Sequence, residues 1–273
     1  MIVYRPCQGF DELEACVQMQ VETWGYDAGD VIPRKAYRVA QQIGGQVMGA
    51  FDTVLESASD GGNASSMVGF LMALPGVKSE NGVATPYLHS HMLAVREAYR
   101  NRGLGVELKR RQRVDALDRG IQLIEWTFDP LEIKNAYLNF CKLGVLVCRY
   151  YEDFYGVSSS RLQGGLPTDR LVAEWRLESP RVRAVLAGQP AAASRIEERI
   201  SVPASIYQWK ASSADRERAL EVQLRNRRMF QKAFAQGLAV IGFLRDANGN
   251  GIFELGQPAQ AELATYTKGN DNL

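Results

Sequence analysis

The stretch from His91 to Arg113, HMLAVREAYRNRGLGVELKRRQR, constrains the fold more than any other part of the chain. An apolar, strand-like run from Met92 to Val95 enters a turn at Arg96 and Glu97. Arg100-Asn101-Arg102-Gly103-Leu104-Gly105 follows, and then a segment that reads as a helix. Glycines between a strand and a helix let backbone N–H groups crowd around an anion, and the helix N-terminus adds a partial positive charge. Arg100, Arg102, Lys109 and Arg110 lie within or just beyond this loop, so a diphosphate is the natural guest. The alternative is a steric turn that binds no phosphate, which strand-to-helix glycines also make.

The rest of the chain supplies an α/β order of elements. Ile2 to Arg5 reads as a strand, Phe10 to Trp24 as a helix closed by Gly25, and Pro33 opens a second helix to about Ile43. Gln46 to Leu55 and Met67 to Leu74 read as strands joined by a polar, turn-rich connection in the manner of a hairpin. Strands over Pro86–Val95, Ile121–Phe128, Val145–Tyr151 and Leu171–Leu177 alternate with helices over Gly103–Arg119 and Glu132–Leu143, the latter capped by Gly144. Residues 178–200 are rich in Ala, Arg and Pro and read as a connector with a helical turn or two. A smaller α+β unit follows over 201–273: a strand start at Ile200–Val202, a helix from Ala214 to about Gln236 capped by Ser212 or Ser213, and a hairpin of Leu238–Leu244 with Ile252–Leu255.

The loop and this element order together resemble the GCN5-related N-acyltransferases (GNAT), and the resemblance covers about residues 1–177. Stretches such as SHMLAV, WTFDPL and GLPTDRLVAEW look like a bacterial group in that superfamily whose members exceed the minimal domain. The resemblance implies a mixed central sheet flanked by helices. It also implies acetyl-CoA, or another acyl-CoA such as succinyl-CoA, as cosubstrate. Arg100, Gly103 and Gly105 match the pyrophosphate motif, although Glu97 stands where proline is common. By the same resemblance the backbone of Leu93, Ala94 and Val95 faces pantetheine, and the N–H groups of Asn101, Arg102, Gly103, Leu104, Gly105 and Val106 face the phosphates. The asparagine expected at the start of the later helix is displaced by Ile133, leaving Asn135 and Asn139 as the nearby cofactor contacts. The general-acid tyrosine, expected four residues before Gly144, is Phe140; Tyr137, Tyr150 and Tyr151 are substitutes, Tyr137 first.

Two further candidates come from residue chemistry. Glu125 lies mid-strand in LIEWTF, where a carboxylate must be paired or face a cleft, so it is read as base or amine anchor, or else as a solvated strand face or a salt-bridge partner. His89 and His91 share one strand face with Leu93 and Val95; no third ligand is in reach, so metal is rejected and either histidine, His91 first, is a candidate base or substrate hydrogen-bonding group. Asp246 to Gly251 matches the front of a calcium loop, but Gln257 holds the twelfth position and the flanks read as strands, so a turn is expected.

Charge and composition narrow the partners. A net charge of +1 argues against a nucleic-acid binder, and no apolar run approaches the roughly 20 residues that span a bilayer. The four cysteines show no CxxC spacing, and a cytoplasmic setting with free thiols is expected. The expected activity is direct acyl transfer to a small amine or amino acid, with the C-terminal unit covering the amine side or serving a homodimer. A CoA-binding regulatory module and a protein-lysine acetyltransferase are the competing readings.

Overall fold

The computed structural model describes residues 1–58, 66–80, 82–192, 194–259 and Glu262. The chain divides into two compact units. The first comprises Met1–Val77, Pro86–Ile124 and Ser159–Arg161; the second comprises Lys78–Thr85, Glu125–Ser158 and Leu162–Leu273.

In the first unit the elements are β1 (Ile2–Pro6), α1 (Gly9–Trp24), α2 (Arg34–Gln42), β2 (Gln46–Asp52), α3 (Thr53–Ala58), β3 (Met67–Glu80), β4 (Val83–Val95) and α4 (Leu104–Asp118). The tips of β3 and β4 belong to the second unit. Strands run in the order β1-β2-β3-β4, with β2 antiparallel to both β1 and β3. The start of α1 is fixed by a buried carboxylate: Glu12 takes the N–H of Gln8 at 2.7 Å and both guanidinium nitrogens of Arg5 at 2.8 Å. Its end is Gly25, in the left-handed region at φ 69°. Leu13, Cys16 and Met19 of α1, Tyr37 and Ala40 of α2, and Phe51, Phe70 and Met92 of the sheet form one core cluster. Leu104 and Leu108 of α4 pack with Met48, Val68 and Leu71 in a second.

Two expectations change here. The strand beginning at Gln46 stops at Asp52 rather than Leu55, because the Asp52 carboxylate takes the Val54 N–H at 3.1 Å and turns the chain into α3. The polar connection expected as a hairpin turn lies, at 59–65, outside the described residues. Among the described residues no helix is long and apolar enough to cross a membrane.

In the second unit the elements are β5 (Leu123–Phe128, within this unit from Glu125), α5 (Ile133–Tyr137) with a π-helical turn over Leu138–Leu143, β6 (Leu146–Tyr151), β7 (Arg170–Arg176), α6 (Pro180–Leu186), β8 (Glu198–Val202), α7 (Ile206–Ala211), α8 (Arg216–Ala235), β9 (Ala239–Arg245) and β10 (Gly251–Gly256). Strand order is β5-β7-β6-β9-β10-β8, so the strands after residue 197 extend the sheet begun by β5 to β7. Sequence reading missed α7. It also misplaced the cap of α8: Ser212 is extended at the end of α7, and α8 starts after Asp215 without a side-chain cap. The β9–β10 hairpin forms as expected. Asp246 closes its loop by accepting the N–H of Asn248 and of Asn250, each at 2.9 Å, and the Asn250 side-chain amide at 2.8 Å.

Two measurements follow from this packing. A Cβ on Gly45 would stand 2.4 Å from the Ala73 carbonyl oxygen and 2.7 Å from that of Ala40, both rigid backbone. We expect Gly45→Ala to destabilise by about 2–4 kcal/mol, read as a fall in Tm of about 2–4 °C per kcal/mol. Lys109 on the inner face of α4 is buried, and burial holds its pKa well below the ordinary lysine value. The unfolded chain therefore binds that proton more readily, so this group's contribution to stability improves as pH rises toward its unfolded pKa near 10.4. Urea unfolding should find Lys109→Met at least as stable as the parent at pH 7, with the advantage shrinking toward pH 10.

Candidate functional site

The loop between β4 and α4 gathers backbone donors. Arg96 N–H bonds back to Val68 O at 2.9 Å, and a single 3-10 turn over Glu97–Tyr99 brings the chain to Arg100. Asn101 and Gly103 then take left-handed conformations, φ 60° and 82°. Inside α4 the Glu107 N–H bonds Gly103 O at 3.0 Å, so Leu104, Gly105 and Val106 present the orphan donors of a helix start. A Cβ on Gly103 would meet nothing within 4 Å, and one on Gly105 would make only an ordinary 3.5 Å contact with Leu93. At Gly105, then, the protein's own packing does not demand glycine; bare backbone there suits a guest that approaches closely.

The loop's side chains are arranged unequally. Arg100 Nε bonds the Val95 carbonyl at 3.1 Å and is exposed; Arg102 lies over the Tyr99 ring at 5.1 Å, and the Tyr99 hydroxyl donates to Asp52 at 2.8 Å. Arg110 is exposed. Lys109, grouped with these cations on sequence, turns inward instead: its ammonium donates to Ser90 Oγ at 3.1 Å and Gln112 Oε1 at 2.8 Å. A helix turn separates Lys109 from Gly105, and it falls on the apolar face.

β4 leads into the loop with a slip in its alternation. Ser90 meets Gln112 and Lys109 of α4, and Leu93, three residues on, packs with Leu104 and Leu108 of the same helix. An unbroken strand would send those two to opposite faces. Ala94 is buried, while Leu93 and Val95 are half-buried. The His89 and His91 rings stand 6.0 Å apart. Burial lowers the pKa of His91 below its ordinary 6.5, so the imidazole is neutral at pH 7.

In the second unit Glu125 is a buried ion-pair partner. Its Oε1 accepts from Lys78 and from Arg149 Nη2 at 2.6 Å; the same Nη2 donates to Glu174 at 3.2 Å, and Arg176 donates to Glu174 at 3.1 Å. Of the readings of Glu125, the structure fits the salt-bridge partner and not a solvated strand face. Lys78, Arg149, Glu174 and Arg176 were missed on sequence, although charges embedded in VLVCRYY and LVAEWRL were the signal for three of them.

The last turn before Gly144 departs from the α-helical period. The π-helical turn lets the Gly144 N–H bond Asn139 O, five residues back, where an α-helix would reach Phe140. Asn139 is buried and accepts from Trp126 Nε1 at 3.3 Å. Phe140 is buried among Phe128, Phe243 and Phe253 at 6.0–6.4 Å. Asn135 and Tyr137 are exposed on α5, Tyr137 near Lys142. The Tyr150 hydroxyl is committed to Asp169, which also holds Arg227; Asp129 holds Lys210. Those two aspartates are thus structural clamps.

No protein-family model and no curated protein matches the chain. Solved structures do. Arabidopsis thaliana NAA60 in complex with acetyl-CoA matches at 15% identity, over 64% of this chain and 98% of that one, with a TM-score of 0.51. The ribosomal-protein-S18-alanine N-acetyltransferase from Escherichia coli matches at 14% identity, over 65% and 94%, with a TM-score of 0.45. At 15% identity the likeness to the Arabidopsis structure speaks of fold. Over 64% of its length, the chain has the fold of the GNAT N-acetyltransferases.

Proposed function

We propose that the chain is an acyl-CoA-dependent N-acyltransferase that moves an acyl group, acetyl by default and succinyl as the alternative, onto a small amine or amino acid. The observation that carries this is the donor-rich loop Asn101–Val106 at the start of α4, following β4 in a fold shared with an acetyl-CoA-bound acetyltransferase. Leu104, Gly105 and Val106 would receive the pyrophosphate on backbone N–H groups, with Arg100 and Arg102 at its rim and the backbone of Leu93 to Val95 along pantetheine. Acyl-CoA supplies the activated thioester.

The acceptor's amine must be neutral to attack the thioester carbon; the C–N bond forms, the C–S bond breaks, and the amine's proton leaves while coenzyme A takes one. Transfer is direct. Burial raises the thiol of Cys141 and pushes that of Cys148 up to about 12, which leaves both as poor nucleophiles. His91, neutral at pH 7, is our choice of base, and Tyr137 of proton donor. In this reading residues 1–177 carry the acyltransferase parts, 178–200 connect, and Phe243 and Phe253 of the C-terminal unit complete the apolar support around Phe140.

A second reading, a CoA-binding module without chemistry, is favoured by two positions: Phe140 has no hydroxyl, and Glu125 is locked between two cations. Thermal shift with acetyl-CoA, succinyl-CoA and free CoA, run beside turnover against amines, amino acids and lysine peptides, separates the two. We expect Tm to rise with the ligands and the shift to vanish in Arg100→Ala and Gly103→Asp, together with acyl transfer. Ligand shifts without turnover of any acceptor would favour the second reading; no shift at all would sink both. For His91, we expect kcat/KM to fall about 10²-fold or more in His91→Gln. On top of the rise with pH set by the amine's own ionisation, the parent's kcat/KM should show a further acid limb below pH 6.5, and that limb should disappear in the variant.

A further inference from the structure

The sheet of the second unit has two unlike faces. Trp126, Phe128, Tyr150, Leu171, Ala173 and Trp175 fall on one, where Trp126 meets Trp175 at 6.0 Å. The other carries charge. The register Arg149↔Val172 and Tyr151↔Arg170 puts Arg149, Tyr151 and Arg170 on the same side as Glu174, and Glu125 joins them through its bond to Arg149. Ionised side chains so close to the core are costly, and they persist only where each charge is paired or put to use.

Depth sorts these charges by sign. The Glu125 and Glu174 side chains are 5% and 6% exposed; those of Lys78 and Arg149 are 17% and 25% exposed. A ligand approaching this face therefore meets cations, with the carboxylates lying beneath. Burial opposes the charge on Arg149, and Glu125 and Glu174 more than offset it, so the guanidinium stays charged at any working pH. Both carboxylates take the same nitrogen, Nη2, at 2.6 and 3.2 Å. They fix the plane of the guanidinium and take up Nη2, which both two-pronged arrangements need, so a guest carboxylate is met by single N–H donors of Nε or Nη1. An arginine anchored from below and open by a quarter is built to receive an anion.

An aromatic shelf adjoins it. Tyr151, two residues beyond Arg149, lies 5.3 Å from Phe154, which meets Tyr155 edge-on at 4.7 Å. The Tyr155 hydroxyl is tied to Thr127 at 2.9 Å, two residues beyond Glu125, and Arg170 covers the Tyr155 ring at 5.2 Å. Phe154 and Tyr155 are each 45% exposed. Cation and apolar surface side by side suit a molecule with a carboxylate and a hydrocarbon body.

We propose that this face binds a substrate carboxylate, with Arg149 as the receiving group. The inference rests on the acyltransferase reading and deepens it. The carboxylate can belong to the acceptor, as in an amino acid, or to a dicarboxylic acyl group on the donor. The aromatic shelf favours the acceptor, since a succinyl group has no apolar body to place there.

The test pairs acetyl-CoA and succinyl-CoA with phenylalanine and leucine, and with their decarboxylated counterparts, phenethylamine and 3-methylbutylamine. Full-length parent, Arg149→Lys and Arg149→Gln are compared. Arg149→Lys keeps a cation over both buried carboxylates and guards against misfolding, but it loses the fixed plane and the outward N–H donors of the guanidinium. We expect amino acids to be preferred over amines, and KM for them to rise about tenfold in Arg149→Lys with kcat less affected and amine kinetics unchanged. If the donor supplies the carboxylate, succinyl-CoA is preferred with every amine, and its KM is the one that rises. Equal use of amines and amino acids with acetyl-CoA preferred, or an equal loss for every pair in Arg149→Lys, overturns the inference and leaves the acyltransferase standing. Amino acids that raise Tm in the parent but not in Arg149→Lys, without turnover of any pair, keep the carboxylate site and overturn the acyltransferase. Neither turnover nor a Tm shift overturns the site.

Discussion

Buried charges in the second unit must be paired, and that requirement ties its distant segments together. Asp169, with its side chain fully enclosed, takes two guanidinium nitrogens of Arg227 from α8, 58 residues away, and the hydroxyl of Tyr150. Lys210 of α7 lies between Asp129 and Glu132, 81 and 78 residues before it. Arg181 of α6 holds Glu262 at 2.9 Å and the Ile241 carbonyl at 2.6 Å. Glu125 and Glu174 sit under Arg149 and Arg176. Removing one partner from such a pair strands the other, which costs about 3–5 kcal/mol. The helices α6, α7 and α8 and the strands β5 to β7 are thus mutually dependent, and the sheet continues through β9 at Val147↔Val240.

The first unit is organised by local backbone chemistry, which is why it was the more legible. Gly103 and Gly105 are neighbours of the donors they uncover, and the strand before and the helix after them announce themselves by apolar spacing. The same holds for Gly25 at the end of α1 and for Asp246-Ala247-Asn248-Gly249-Asn250-Gly251 in the hairpin, where one aspartate satisfies three donors within four residues. Features that close within a few residues can be read from a string of letters.

The misses share the opposite property. Lys109 sits among arginines in sequence, and only the facing of α4 against Ser90 shows that it turns inward. Arg149 and Glu174 pair across strands, 25 residues apart, so each looked like an isolated charge in an apolar run. The π-helical turn before Gly144, which pairs the Gly144 N–H with Asn139 O in place of Phe140 O, was not legible either. Spacing rules fail where a helix departs from its period, and composition cannot say which partner a charge will find.

Phe140 bears on the chemistry less than its position suggests. An alkyl amine with a pKa near 10.4 is neutral about once in 2,500 molecules at pH 7, so its deprotonation accounts for about 4.6 kcal/mol of the barrier. The departing group is a thiol, with an ordinary pKa near 8.5, so at pH 7 its anion is only about 2 kcal/mol from the protonated form. A base therefore has more to contribute than an acid. In this chain the hydroxyl is missing from the aromatic cluster of Phe128, Phe140, Phe243 and Phe253, while a half-buried imidazole kept neutral by its surroundings stands on β4. A Tyr hydroxyl at 140 would also have to be buried among those rings, at about 1–3 kcal/mol if it found no partner. Under the proposed acyl transfer, phenylalanine there adds to the apolar packing and would give up the smaller of the two proton transfers.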